Sequence, residues 1–261
     1  MRRCLVGAGA FLLRGVKRGV KKGNERGVIG EVKLNKIKMK IFAVGMNYAQ
    51  HNKELKTALL QKGVGSSDSD TERNPVIFTK ADSSLLKDGK PFFVPDFMGR
   101  IDYETEVVVR ICRLGKSIPE QFAHRYYDAF TVGIDFTARD LQKALREEGQ
   151  PWEIAKGFDG AAVIGEWIPK EKLLNEQQMK GKERPAIDFS MMLNGEMRQK
   201  GNTVEMLCSI DRLISYISQF FTLKTGDLLY TGTPVGVGPV KPDDHIEGFI
   251  NDEKILDCWC R

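Results

Sequence analysis

The stretch RIDYETEVVVR, Arg100 to Arg110, sets the tightest limit on how this chain can fold. Ile101, Tyr103, Val107, Val108 and Val109 are β-branched or aromatic and favour a strand. Three acids alternate through the same run: Asp102, Glu104 and Glu106. Strand side chains alternate between faces, so these acids and Val108 are expected on one face. Acids are depleted from strands, and like charges in close array repel. Two readings meet the pattern. One is a solvated outer face with lysines on the next strand. The other is a cation site on which Glu104 and Glu106 converge.

The rest of the chain narrows the class. Its 261 residues can bury a sizeable core, and 41% hydrophobic with 29% charged residues predicts a globular protein. No apolar run is long enough to span a bilayer, so no membrane partner is expected. Five cysteines, Cys4, Cys112, Cys208, Cys258 and Cys260, include no CxxC pair. A disulfide framework or zinc knuckle is therefore not expected, and a reducing, cytoplasmic setting fits. The net charge of +5 is unevenly spread. Residues 1–38 hold eleven Lys/Arg and two Glu, which leaves 29 basic and 33 acidic residues beyond them. That remainder offers no electrostatic footprint for nucleic acid. The basic leader reads as an extension outside the fold, ahead of a domain spanning 39–261. An Arg-rich, acid-poor leader also has the character of an organelle presequence, which would make the location mitochondrial.

Beyond Met39 strands dominate. Strands are expected over KIFAVGMNY, PVIFTKADSSLL, the acidic run and YYDAFTVGIDF, with a short helix over AQHNKELKTALLQ and a polar loop after it. TARDLQKALREEG reads as a helix, with Thr137 and Asp140 as a capping box and Gly149 as its stop. Asn194-Gly195 predicts a tight hairpin turn. IDRLISYISQFF places Ile210, Leu213, Ile214, Ile217, Phe220 and Phe221 on a helical face. A last hairpin covers HIEGFINDEKILDCWC, with the two cysteines of CWC on one face. The whole is a strand-dominated α+β domain.

Polar residues gather beside apolar strand ends, where sites tend to be built. Asp135 ends a buried strand, and a carboxylate there needs a partner or a metal. Arg139 and Gln142 follow in the first turns of the next helix, suited to an anion; the alternative makes Asp135 a cap and Arg139 its ion-pair partner. His51 and Glu54 are spaced to share a helical face, as a water-activating dyad or as plain surface residues. The chain has three histidines in all. YTGTPVGVG lacks the signatures of a phosphate loop, but its amides and the hydroxyls of Thr231 and Thr233 could hold a carboxylate. Lys156, after an apolar stretch, could stabilise an enolate or snorkel to solvent.

Taken in order, VGMNYAQH, RIDYETEVVV, TVGIDFTARDLQ, AKGFDG, NGEMRQ and YTGTPVGVGPV resemble the fumarylacetoacetate hydrolase family. The resemblance runs from about Met39 to the end. It implies that family's mixed β-roll, usually as a homodimer. It implies that Glu104, Glu106 and Asp135 bind one divalent metal, and all-oxygen ligation suits Mg²⁺, Mn²⁺ or Ca²⁺. It further implies a catalytic dyad of His51 and Glu54 on a lid, a catalytic Lys156, and substrate contacts from Arg139, Gln142 and Thr233. Ile134 and Gly157 depart from the family's usual Asn and Ser. The expected activity is C–C bond hydrolysis of a small-molecule 2-oxo acid, a 2,4-dioxo acid of the acylpyruvate or fumarylpyruvate type, expelling an enolate. The alternatives are isomerisation or hydration of unsaturated 2-oxo diacids, oxaloacetate decarboxylation, and a non-catalytic metal-stabilised scaffold.

Overall fold

The computed structural model describes residues 39–49, 74–86 and 89–261. The leader, and almost all of the helix and polar loop expected after Tyr48, lie outside these residues. In chain order the strands are β1 (Ile41–Gly45), β2 (Val76–Lys80), β3 (Ile101–Tyr103), β4 (Thr105–Ile111), β5 (Tyr127–Asp135), β6 (Thr137–Ala138) and β7 (Ala162–Ile164). They continue with β8 (Ile168–Pro169), β9 (Asp188–Leu193), β10 (Glu196–Asn202), β11 (Leu228–Tyr230), β12 (Gly238–Pro239), β13 (His245–Ile250) and β14 (Glu253–Trp259). The domain is α+β and strand-dominated, as expected.

A seven-stranded sheet runs β2-β1-β11-β4-β5-β7, with β8 also on β5. It is mixed, because β1 and β11 are parallel while its other pairs are antiparallel. β4 and β5 sit inside it, which explains their near-continuous apolar runs: a strand covered on both faces cannot alternate. A four-stranded antiparallel sheet, β10-β9-β13-β14, packs against it. There the backbones come so close that a Cβ on Gly248 would lie 2.8 Å from Val132. A small sheet, β12-β3-β6, carries the first half of the acidic run.

Local chemistry shapes the connections. Asn194 and Gly195 both take positive φ, 55° and 79°, and join β9 to β10 as a tight turn. Ser209 caps helix Ile210–Phe220 by accepting from the Arg212 amide at 3.1 Å. That helix buries Ile210, Leu213, Ile214 and Ile217, each contributing about 1.5–3 kcal/mol. Phe220 and Phe221 depart from the expected apolar face, since both are exposed at the helix end. Cys258 and Cys260 are buried on one side of exposed Trp259, as the CWC pattern suggested. No described helix is long and apolar enough to cross a membrane.

Candidate active site

The acidic run is not one strand. It breaks at Glu104, between β3 and β4. Asp102 therefore belongs to the small sheet and accepts from Arg100 Nε at 2.6 Å and Arg139 Nε at 2.8 Å. The expectation of three acids on one face is corrected: Asp102 leaves the group and Asp135 joins it. The register of β4 on β5 brings this about, pairing Thr105 with Ile134 and Glu106 with Gly133. The Asp135 amide then donates to the Glu104 carbonyl at 2.8 Å. Gly133 is required here, because a Cβ would lie under 3 Å from Val108, Val163 and Tyr230.

Glu104, Glu106 and Asp135 are all buried, with one carboxylate oxygen from each within 4.8 Å of the others. The outer-face reading of the acidic run therefore fails. Burial first, then Asp135 and Glu104, push the Glu106 carboxyl well above the usual carboxylate range. Gly232, in the T-G-T-P loop after β11, donates its amide to Glu106 Oε2 at 2.6 Å. The loop thus holds a carboxylate, but a protein one. Thr231 turns its hydroxyl to the Val107 carbonyl at 2.7 Å.

Two buried lysines face these acids. Lys156 ends helix Glu153–Lys156 and donates to Glu104 Oε2 at 2.7 Å, Asp135 Oδ2 at 2.8 Å and Thr137 Oγ1 at 2.6 Å. Burial alone would lower its pKa, but Asp135 and Glu104 outweigh it and the ammonium holds its proton more tightly than usual. It does not snorkel. Thr137 is consequently not a capping residue. Helix Arg139–Glu147 starts after Ala138 without a side-chain cap, and Asp140 accepts from the Arg100 amide instead. Gly149, at a φ of 68°, follows the last turn as expected.

Lys80, at the end of β2, was not marked by the sequence. Its Nζ lies 2.7 Å from Asp135 Oδ1 and also donates to the backbone carbonyls of Lys156 and Ala161. Burial pulls its pKa down, against the pull of Asp135. Without Lys80, Asp135 keeps Lys156 but loses one charged partner. Lys80→Met should therefore destabilise the fold by about 1.5–3 kcal/mol, the size of a hydrogen bond to a charged group, read by urea unfolding. A loss below about 1 kcal/mol would show that Asp135 does not depend on it.

Arg139 donates to Glu104 Oε1 at 2.5 Å and to Gln142 Oε1 at 2.8 Å. Thr233 accepts from Gln199 Nε2 at 2.8 Å, and Gln199 Oε1 accepts from the Thr105 amide at 2.8 Å. Gln199 thus ties the T-G-T-P loop to the start of β4, a positioning role the NGEMRQ motif hinted at only by its presence. Glu104, Arg139, Gln142, Lys156 and Thr233 line one pocket, joined by Arg146 and Trp152. His51 and Glu54 lie outside the described residues.

The residues fit a hard divalent cation. The donors are all oxygen, the three carboxylates are crowded in a buried place, and Asp135 Oδ1 lies beside Lys80 without a properly oriented hydrogen bond.

Similarity to known proteins agrees with this geometry. The family model for the fumarylacetoacetate (FAA) hydrolase C-terminal domain matches residues 40–259. Mitochondrial oxaloacetate tautomerase FAHD1 of Mus musculus is 36% identical over 211 residues, covering 81% of this chain and 86% of that protein. Oxaloacetate tautomerase YcgM of Escherichia coli is 34% identical over 207 residues, covering 79% and 86%. The crystal structure of fumarylpyruvate hydrolase from Pseudomonas aeruginosa with Mn²⁺ and pyruvate matches with a TM-score of 0.72 and 31% identity, covering 85% of this chain and 88% of that one. The mixed sheet is the β-roll of these proteins. A family match over nearly the whole described domain, with the acidic strand, the ARD helix and the T-G-T-P loop in their expected order, shows that the chain belongs to the fumarylacetoacetate hydrolase family.

Proposed function

We propose that the chain is a divalent-metal-dependent enzyme that interconverts the keto and enol forms of a 2-oxo diacid of the oxaloacetate type. The observation that carries this reading is the position of Lys156, whose ammonium touches Glu104 and Asp135 in the pocket that Arg139, Gln142 and Thr233 also line. Glu104, Glu106 and Asp135 would hold Mg²⁺, Mn²⁺ or Ca²⁺. A cation held there would polarise the oxo group of a 2-oxo acid and so acidify the neighbouring C3–H. Lys156, held protonated with its three N–H groups on Glu104, Asp135 and Thr137, would place a positive charge beside the enolate, while the C3 proton and the enol proton exchange with water. Thr137 fixes the direction of that ammonium. Arg139 is anchored by Asp102 and Glu104 and forms a rigid wall, while Gln142 and Thr233 supply polar contacts.

Charge balance supports a dianionic substrate. Asp102, Glu104, Glu106 and Asp135 are set against Arg100, Arg139, Lys80 and Lys156. Adding a divalent cation leaves excess positive charge, to which Arg146 on the pocket wall adds, and a 2-oxo diacid would offset more of it than a monoacid. The mouse and Escherichia coli relatives, both named oxaloacetate tautomerases, support the same choice. A second reading is hydrolysis of the C3–C4 bond of an acylpyruvate or fumarylpyruvate. The His51–Glu54 spacing and the Pseudomonas relative favour it. The homodimer expected of the family is part of the proposal.

The test follows the ultraviolet absorbance of enol oxaloacetate with Mg²⁺, Mn²⁺ or Ca²⁺, before and after chelator. Pyruvate release from acylpyruvate and fumarylpyruvate is assayed in parallel. Metal-dependent ketonisation above the uncatalysed rate is the expected result. No turnover of any substrate with any of these cations overturns the proposal. A chain beginning at Met39 should give the same rates, since 39–261 is proposed as the whole catalytic domain. Lost turnover would place residues 1–38 within it.

A further inference from the structure

Helix Arg139–Glu147 sends Arg139, Gln142 and Arg146 into one pocket. Their spacings of three and four put them on one face. The two arginines differ in what they have left to offer. Arg139 is already engaged by Asp102, Glu104 and Gln142. Arg146 has no ion pair among the described residues and is exposed at the pocket wall. They are seven positions apart, which is about 10 Å along the helix axis. The pocket therefore has two ends. Glu104 and Lys156 mark the inner end, where the three carboxylates meet. Arg146 stands toward the other, with Trp152 as a further wall.

An unpaired surface arginine is ordinarily just solvated. This one shares a lining with the candidate chemistry, on the same helical face as two polar residues that point there. A planar guanidinium also matches a carboxylate in bidentate geometry, which a neutral tail cannot use. We propose that Arg146 is a specificity-determining residue that receives the distal carboxylate of a 2-oxo diacid whose oxo-acid end lies at Glu104, Glu106 and Asp135. The inference rests on the proposed function and adds to it the residue that tells a diacid from a monoacid.

The test is equilibrium binding, with no turnover required. Wild type, Arg146→Ala and Arg146→Lys, each with saturating Mn²⁺, are titrated calorimetrically with 2-oxoglutarate and with 2-oxopentanoate. These ligands differ in whether the chain ends in a carboxylate or a methyl. Wild type should bind the diacid about tenfold or more tightly, the size of one charge-assisted contact at a partly wet site. Arg146→Ala should erase that preference by weakening the diacid alone, and Arg146→Lys should keep most of it. If wild type binds both acids equally, or Arg146→Ala keeps the preference, the inference falls while the site reading stands. If neither acid binds wild type, the site reading falls and takes the inference with it.

Discussion

Glu106→Gln should weaken Mn²⁺ binding by a hundredfold or more and remove turnover of every 2-oxo acid, while leaving the metal-free protein at least as stable as wild type. The two halves of this result come from one fact. Glu106 is buried beside Asp135 and Glu104, and burial and both neighbours disfavour its charge. A cation bound among these three carboxylates would offset that penalty. Glutamine keeps the oxygen that accepts from the Gly232 amide and drops the charge. Thermal unfolding separates the outcomes. At a hundred times its dissociation constant, Mn²⁺ should stabilise wild type by about 2.7 kcal/mol. For a domain of this size that is a rise of about 5–10 °C in Tm. The variant should rise by no more than about 1–2 °C at the same Mn²⁺. A variant whose Tm climbs as far as wild type would remove Glu106 from the ligand set. A variant that is markedly less stable in chelator would make Glu106 structural rather than functional.

The sequence made some parts of this site legible and hid others, for physical reasons. Glu104, Glu106 and Asp135 were readable because each breaks a local rule: acids inside a strand, and an acid at the end of a buried one. Such conflicts between local propensity and fold are expected where function is placed. The face assignment failed at Asp102 because period-two alternation holds only while a strand continues, and this run changes sheets at Glu104. Thr137 failed for a related cause. Its capping-box spacing with Asp140 was present, but Lys156, nineteen residues on, takes the Thr137 hydroxyl. A local motif lost to a tertiary partner.

Lys80 and Gln199 were hidden because their roles depend on distant pairing. Nothing in VIFTK says that its lysine is buried, since that follows from β2 lying on β1 and from Asp135, 55 residues away. Gln199 is turned inward by a register shift between Met197 and Gln199 on β10. Its three predecessors on the strand are exposed while it is buried. A bulge re-aims a side chain in this way without a signature in composition. The hairpin turn at Asn194-Gly195 was legible, since only its own two residues decide it.

His51→Ala should separate two reactions that share one enolate. Hydrolysis of a 2,4-dioxo acid needs a base to take a proton from water before the C3–C4 bond breaks. General-base assistance of that kind contributes roughly a hundredfold or more, so the variant should lose at least that much acylpyruvate cleavage. Keto–enol interconversion needs no water as nucleophile. It would draw on the cation that Glu104, Glu106 and Asp135 would hold and on the charge of Lys156, so His51→Ala should leave it within a few-fold of wild type. Glu104→Ala is the control and should lose both, because both depend on the carboxylate cluster. All rates are measured with saturating Mn²⁺, so that a change in metal affinity is not read as a change in chemistry. Cleavage that survives in His51→Ala would end the dyad assignment, and with it the case for hydrolysis. Ketonisation that falls with cleavage would give His51 a proton-transfer role in both reactions. The split result, cleavage lost and ketonisation kept, is the one expected if the enolate is stabilised by Lys156 and by a cation at Glu104, Glu106 and Asp135.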